Sequence, residues 1–164
     1  SAIQEFVPEI YAASAQNEPT QQKTDLSNTL RSKKPTKQAS IKSIDFEESL
    51  KLSNNNPDLA VLFLEKFLQS LPNEHSTMKI IHEQHNFKAL EAAVHKLHGA
   101  CHYCGVPKLR AIVQNTEHHL KTLNNNAGHV ETDSHFSELL DELKTLIEWH
   151  IAQGDRWKHY FKSN

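Results

Sequence analysis

No apolar run in this chain comes near the ~20 residues that a membrane span requires, and no segment has the make-up of a signal peptide. Glycine is scarce, at four residues, which leaves little material for a phosphate-cradling loop or a nucleotide site. Cysteine is scarcer still. Cys101 and Cys104 are the only two, too few and too close in sequence for a disulfide framework, so a reducing cytoplasm is the expected setting. Neither sign of charge is in excess. The net value is −2 with the histidines neutral, without the basic footprint that nucleic-acid binding leaves. Period-two alternation and Val/Ile-rich runs are missing too, which argues against strands. What the chain has in quantity is histidine, 12 residues, so its charge responds to pH between about 5 and 8. It opens at Ser1 rather than methionine, as a piece of a longer parent would, and a membrane anchor elsewhere in such a parent stays open.

Three divisions are expected. Residues 1–43 read as a linker or N-terminal appendage. Ile3, Phe6, Val7, Ile10 and Tyr11 hold the spacing of one helical face around Pro8, and polar and basic residues follow through Arg31, Lys33, Lys34 and Lys37. Residues 44–153 read as helices. Asp45 is placed to cap a short one carrying Phe46, Leu50 and Leu52. Asn54-Asn55-Asn56-Pro57 breaks the chain and restarts it with proline in a first helical turn. Leu59, Leu62, Phe63, Phe67, Leu68 and Leu71 then mark a face that resumes after Pro72 with Met78, Ile80 and Ile81, one kinked helix or two in line. Asn86 restarts the chain again. Phe87, Leu90, Val94, Leu97, Cys101 and Cys104 form the clearest stripe, ended by Gly105 and Pro107. Leu109, Ile112, Val113, Thr116, Leu120 and Leu123 define the next helix, which stops in Asn124–Gly128. Phe136, Leu139, Leu140, Leu143, Leu146, Ile147 and Ile151 define the last, which begins near Thr132 or Asp133 and reaches Gly154. Residues 154–164 form an aromatic tail with Trp157, Tyr160 and Phe161, expected to pack on the last helix. Short connections between long amphipathic helices imply an all-α, antiparallel up-down four-helix bundle with a short leading helix.

The stretch His95-Lys96-Leu97-His98-Gly99-Ala100-Cys101-His102-Tyr103-Cys104-Gly105-Val106-Pro107 carries the chemistry. Mid-helix glycine costs about 1 kcal/mol against alanine, so Gly99 answers to something other than helix stability. On a wheel of about 100° per residue, His95 points roughly 130° from the core stripe, into solvent. Glu91, Gly99 and His102 share its face, with His98 on the shoulder toward the core. An exposed imidazole with bare backbone one turn along suits a nucleophile that another protein must approach. Such a ring needs one nitrogen open and a partner on the other to fix the tautomer.

His95-Lys96-Leu97-His98-Gly99-Ala100, followed by Gly105 and Leu109, resembles the His-x-Leu-Lys-Gly-small signature of histidine-containing phosphotransfer (HPt) domains. With histidine in the lysine position and Cys-Gly-Val-Pro after it, the stretch looks like the C-terminal HPt module of BarA/GacS-type hybrid sensor histidine kinases. The similarity covers roughly residues 44–153. It implies that His95 is phosphorylated and that Gly99 is the family's glycine. It also implies that Glu117, on the following helix, holds the other ring nitrogen and leaves Nε2 as nucleophile. His98 stands where the lysine usually does, either as a cation when protonated or as a hydrogen-bond donor. Lys88, Glu91 and His102 are candidates for partner contact. The implied partners are the receiver domain of a parent hybrid kinase and a separate response regulator, with no nucleic acid and no direct membrane contact by this chain. The implied function is a phosphorelay step, from a receiver aspartate to histidine to a regulator aspartate, without kinase activity of its own. No cofactor is expected in the chain, only Mg2+ in the partner receiver. The expected location is the cytoplasm, as for the cytoplasmic part of an inner-membrane sensor kinase.

Two rivals compete with that reading. His95, His98, Cys101, His102 and Cys104 are all possible zinc ligands, and His98, Cys101 and His102 lie at neighbouring helical positions. Against zinc, the cysteines belong to the core stripe and one helix does not readily wrap a tetrahedral site. Cys-x-x-Cys is followed by Gly105 rather than histidine, which excludes a haem attachment. The other rival is an inert helical interaction bundle.

Overall fold

The computed structural model describes residues 40–125 and 132–163. The elements among the described residues are all helices, without a strand. The expected apolar face of residues 3–11 and the basic run 31–37 lie outside them.

The leading helix α1 (Phe46–Leu52) starts at Asp45, whose carboxylate accepts from the Glu48 amide at 3.0 Å. Asn54 and Asn55 take left-handed φ values of 54° and 58°, a conformation that asparagine tolerates better than most residues. Asn56 then caps α2 (Pro57–Glu83) by accepting from the Asp58 and Leu59 amides. Helix α2 runs through Pro72 without ending, so the proline yields one element rather than two in line. Pro72 has no N–H to give the Leu68 carbonyl, yet the helix continues past it. Asn86 caps α3 (Phe87–Cys101) through the Ala89 amide at 3.1 Å. Helices α4 (Pro107–Asn125) and α5 (Thr132–Gln153) complete the set. Each packs on its sequence neighbour, and α2 closes against α5. This is the four-helix bundle that short connections dictate.

Burial corrects one face. The core stripe of α2 is Ala60, Leu64, Phe67, Leu68, Leu71 and Met78. Leu59, Leu62, Phe63 and Ile80, expected inside, are exposed, as are Leu52 and Ile151. The first turns of α2 are apolar on two adjacent faces, and the side with Ala60 and Leu64 has the room to meet α3 and α5. The other stripes hold. Leu90, Val94, Leu97 and Cys101 of α3 meet Leu109, Val113 and Leu120 of α4 and Phe136, Leu139, Leu143 and Leu146 of α5.

Gly105 has a different role from the helix stop expected of it. Its φ is not left-handed, and α3 has already ended at Cys101. Instead α1 lies against it. The Gly105 amide donates to Ser49 Oγ at 2.9 Å, and the Asp45 amide donates to the Gly105 carbonyl at 2.8 Å. A Cβ there would run into the Asp45 carbonyl and Ser49. Arg110 adds an ion pair to Glu48 at 2.5 Å. Thus α1 is strapped across the turn that joins α3 to α4.

The aromatic tail closes the same end. Gly154, at φ +54°, turns the chain out of α5. A 3-10 turn (Arg156–Lys158) and α6 (His159–Lys162) follow. Phe46 of α1 sits among Trp149, Trp157, Tyr160 and Phe161, with ring centroids 5.0 to 6.4 Å apart. Lys158 pairs with Glu65 of α2 and Asp155. The tail therefore packs on α1 and α2, and it meets the last helix through Arg156, which donates to the Ala152 and Gln153 carbonyls. Among the described residues, no helix is long and apolar enough to cross a membrane.

The two loop-side and helix-side glycines make opposite predictions. Gly105→Ala overpacks the α1 contact and costs about 1–3 kcal/mol, read as a lowered Tm. Gly99→Ala meets nothing within 4 Å and gains about 1 kcal/mol of helix propensity, read as a raised Tm. Thermal unfolding followed by circular dichroism checks both.

Candidate functional site

Helix α3 turns its polar face outward, and His95 stands on it with a side chain 72% exposed. Across the groove, α4 brings up Glu117, whose side chain is only 7% exposed. A buried carboxylate is costly unless it is paired and hydrogen-bonded. Glu117 is both. Its Oε1 lies 2.7 Å from His95 Nδ1 and 2.5 Å from Lys121 Nζ, and its Oε2 lies 2.6 Å from His98 Nδ1. His95 and His98 are one turn apart on α3, and Glu117 and Lys121 one turn apart on α4, so two helical pairs meet on a single group. Burial pushes the Glu117 carboxyl up, but hydrogen bonds from Lys121, His95 and His98 outweigh it and hold the pKa at about 2. The group is an anion at any pH near neutrality.

An ionised carboxylate only accepts hydrogen bonds, so both histidines must carry hydrogen on Nδ1. A neutral His95 in that tautomer has its lone pair on Nε2. Lys121 is held more firmly protonated than usual, first by its hydrogen bond to Glu117. His98, with a side chain 19% exposed, lies against His102 with ring centroids 4.8 Å apart and the rings tilted by 38°.

His95, His98, Gly99, His102, Glu117 and Lys121 line an open cleft of about 560 Å³ together with Gln114, Asn115 and His118. Among the described residues, nothing lies within 4 Å of where a Cβ on Gly99 would stand. On the other flank of α3, Lys96 pairs with Glu74 at 3.0 Å. Beyond it Phe63, Phe67, Ala100 and Tyr103 line a shallow, largely apolar groove of about 440 Å³ against α2. Phe63, misplaced in the core by its sequence pattern, is half of that groove's rim, with Tyr103 6.5 Å away.

Of the residues singled out in the sequence, the cleft gathers His95, His98, Gly99, His102 and Glu117. Lys88 is exposed earlier on α3 and does not line it. Glu91 does not line it either, although its charge acts on Lys121. Lys121, Gln114 and His118 were missed. The signal for them was available: Gln114, Glu117, His118 and Lys121 recur at helical spacing on one face of α4. The cysteines are core residues, and burial pushes both thiols up to about 12, far from the thiolate that zinc requires. Among the described residues no group of three or more His, Cys, Asp or Glu side chains is placed to hold a metal ion.

Fold and cleft together define a helical bundle with an exposed histidine, His95, whose Nδ1 is held from behind by a buried carboxylate. The model of the Hpt domain family matches residues 62–149, more than half the chain. The chain belongs to the Hpt domain family. It is 39% identical over 104 residues to the sensor protein GacS of Pseudomonas syringae pv. syringae, covering 63% of this chain and 10% of that protein. It is 38% identical over 116 residues to the sensor histidine kinase GacS of Pseudomonas protegens, covering 71% of this chain and 12% of that protein. Against the signal transduction histidine-protein kinase BarA of Escherichia coli the identity is 29% over 103 residues, 63% of this chain and 11% of that protein. The chain therefore spans about a tenth of the length of these curated relatives. The crystal structure of the HPT domain of a sensor hybrid histidine kinase from Shewanella superposes with a TM-score of 0.60 at 30% identity, covering 70% of this chain and 95% of that one. The chain is homologous to the phosphorelay modules of hybrid sensor kinases, whose role is histidine phosphotransfer.

The Glu117 carboxyl has a folded pKa of about 2 against its usual 4.5. A depressed pKa means that the unfolded state takes up the proton first. This part of the stability is present above about pH 4.5 and is lost as pH falls toward 2. Acid titration of the Tm is expected to show a weaker fall across that window in Glu117→Gln than in the parent chain.

Proposed function

We propose that His95 is the phosphoryl-accepting residue of this module and that its Nε2 is the atom phosphorylated. The observation that carries this is the unequal treatment of the two ring nitrogens. Nδ1–H is held by a buried anion, while Nε2 lies on a ring that is mostly exposed, beside a glycine.

The transfer balances without moving a proton. The Nε2 lone pair attacks phosphorus of a receiver aspartyl phosphate, the N–P bond forms, and the P–O bond to the aspartate breaks. The aspartate leaves as carboxylate. The imidazole, still carrying Nδ1–H, takes on a positive charge, and the Glu117 carboxylate stabilises that charge. The reverse sequence delivers the phosphoryl group to a second receiver. Charge stabilisation at the aspartate is left to the receiver domain and its Mg2+. The chain supplies a nucleophile and its orientation, and no kinase chemistry of its own.

Gly99 serves as clearance for the receiver's active site. The partners are the receiver of a parent hybrid kinase and a separate response regulator. The apolar groove of Phe63, Phe67, Ala100 and Tyr103, on the other flank of α3 from the cleft, offers them a contact surface, and Lys88, Glu91 and His102 are further candidates for partner contact. Composition supports residues 1–43 as the connection to a preceding domain, residues 44–153 as the transfer bundle and residues 154–164 as its aromatic cap. The setting proposed for this exchange is the cytoplasm.

Incubation with a phosphorylated receiver domain is expected to label the chain with an acid-labile, base-stable phosphate. His95→Gln loses the label. Glu117→Ala keeps the nucleophile but slows transfer roughly ten- to a hundredfold, the worth of a hydrogen bond to a charged group. Gly99→Ala combines a raised Tm with slowed transfer. Labelling that survives His95→Gln would sink the assignment.

A further inference from the structure

The Glu117 anion creates a problem as well as solving one. It stabilises the positive ring of a phosphorylated His95, yet it also faces the two negative charges that the phosphoryl group brings to that ring. A neutral amide in its place would avoid the repulsion. With a carboxylate, the cleft needs a permanent cation within reach of both groups.

His98, in the position where a lysine is expected, is not that cation. Its Nδ1–H is committed to Glu117 Oε2, and its ring lies against His102. Lys96 turns the other way and pairs with Glu74 of α2. Lys88 is two turns upstream and outside the cleft. Lys121 is inside it. Its Nζ and His95 Nδ1 bind the same oxygen of Glu117, so ammonium and imidazole are neighbours across one atom. The side chain is 53% exposed and lines the cleft with His95. An ammonium has three donors on a flexible four-carbon stem, enough to keep one on the carboxylate and turn another to a second acceptor.

Resting on the reading of His95 as phosphoryl acceptor, we propose that Lys121 of α4 is the cation of this site, bridging Glu117 and the phosphoryl oxygens on His95 Nε2. The positive charge that the signature places on α3 is supplied here from α4. His98 is thereby a positioning residue, which holds the second oxygen of Glu117 so that the first faces His95 and Lys121. The N–P and P–O bonds exchange as described above. Lys121 keeps its protons throughout and contributes charge alone.

The test compares the full chain with Lys121→Met and Lys121→Arg, each checked for fold by circular dichroism. Two quantities are read: the rate of phosphoryl transfer from a phosphorylated receiver, and the ³¹P titration of the phosphorylated chain. Lys121→Met is expected to slow transfer roughly tenfold or more. It is also expected to move the ³¹P midpoint up by about one pH unit, because a neighbouring cation favours the dianion. Lys121→Arg restores both. A slowed rate with an unmoved ³¹P midpoint would mean that Lys121 acts only by holding Glu117, and it overturns the proposal. So does a Lys121→Met variant that matches the parent in both readouts. If the parent chain itself takes no phosphoryl group, the assignment of His95 fails instead, a result distinct from either of these.

Discussion

The site hangs on one buried carboxylate. Glu117 sits in the seam between α3 and α4, where an isolated anion would be expensive. Its cost is met by three donors from two helices, His95, His98 and Lys121. The consequence runs both ways. The donors keep Glu117 ionised, and the ionised group fixes the hydrogen of each histidine on Nδ1. Without that anion, His95 would be an exposed imidazole free to rotate and to change tautomer. With it, one ring nitrogen is held and the other is left open, as the proposed nucleophile requires.

The rest of the bundle serves to hold that seam and leave it open. The strap of α1 over Gly105 and the aromatic group around Phe46 close the end of the bundle near the α3–α4 turn. They fix the two helices against each other without covering the outer face of α3. The two glycines of the signature region divide the work. Gly105 is buried and makes room inside the molecule, while Gly99 is exposed and makes room outside it. Glycine at position 99 lowers helix stability for no internal gain, the pattern expected where function and folding compete for a residue.

Much of this was legible because it depends on local rules. Asp45, Asn56 and Asn86 cap helices through their side chains, as short polar residues before apolar periodic runs should. The wheel alone separated His95 and Gly99 from Leu97, Cys101 and Cys104. Three things were not legible, each for a physical reason. The start of α2 is apolar on two faces, so periodicity could not choose Ala60 and Leu64 over Leu59, Leu62 and Phe63. Gly105 looked like a helix stop because close approach to α1, distant in sequence, leaves no local signature. Lys121 was passed over, because a Glu–Lys pair at i, i+4 is the common pattern of a solvated helix face, and only the packing of α4 on α3 turns this one toward a histidine. Glu117 itself came from a family resemblance.

The atom that bears the phosphoryl group tests the account most directly. Transfer from a phosphorylated receiver to ¹⁵N-labelled chain, followed by long-range ¹H–¹⁵N correlation of the histidine rings, reports which ring and which nitrogen is modified. The account predicts phosphorylation of His95 at Nε2, with Nδ1 still carrying its hydrogen toward Glu117. Phosphorylation of His95 at Nδ1, or of His98, His102 or His118 in its place, would contradict it.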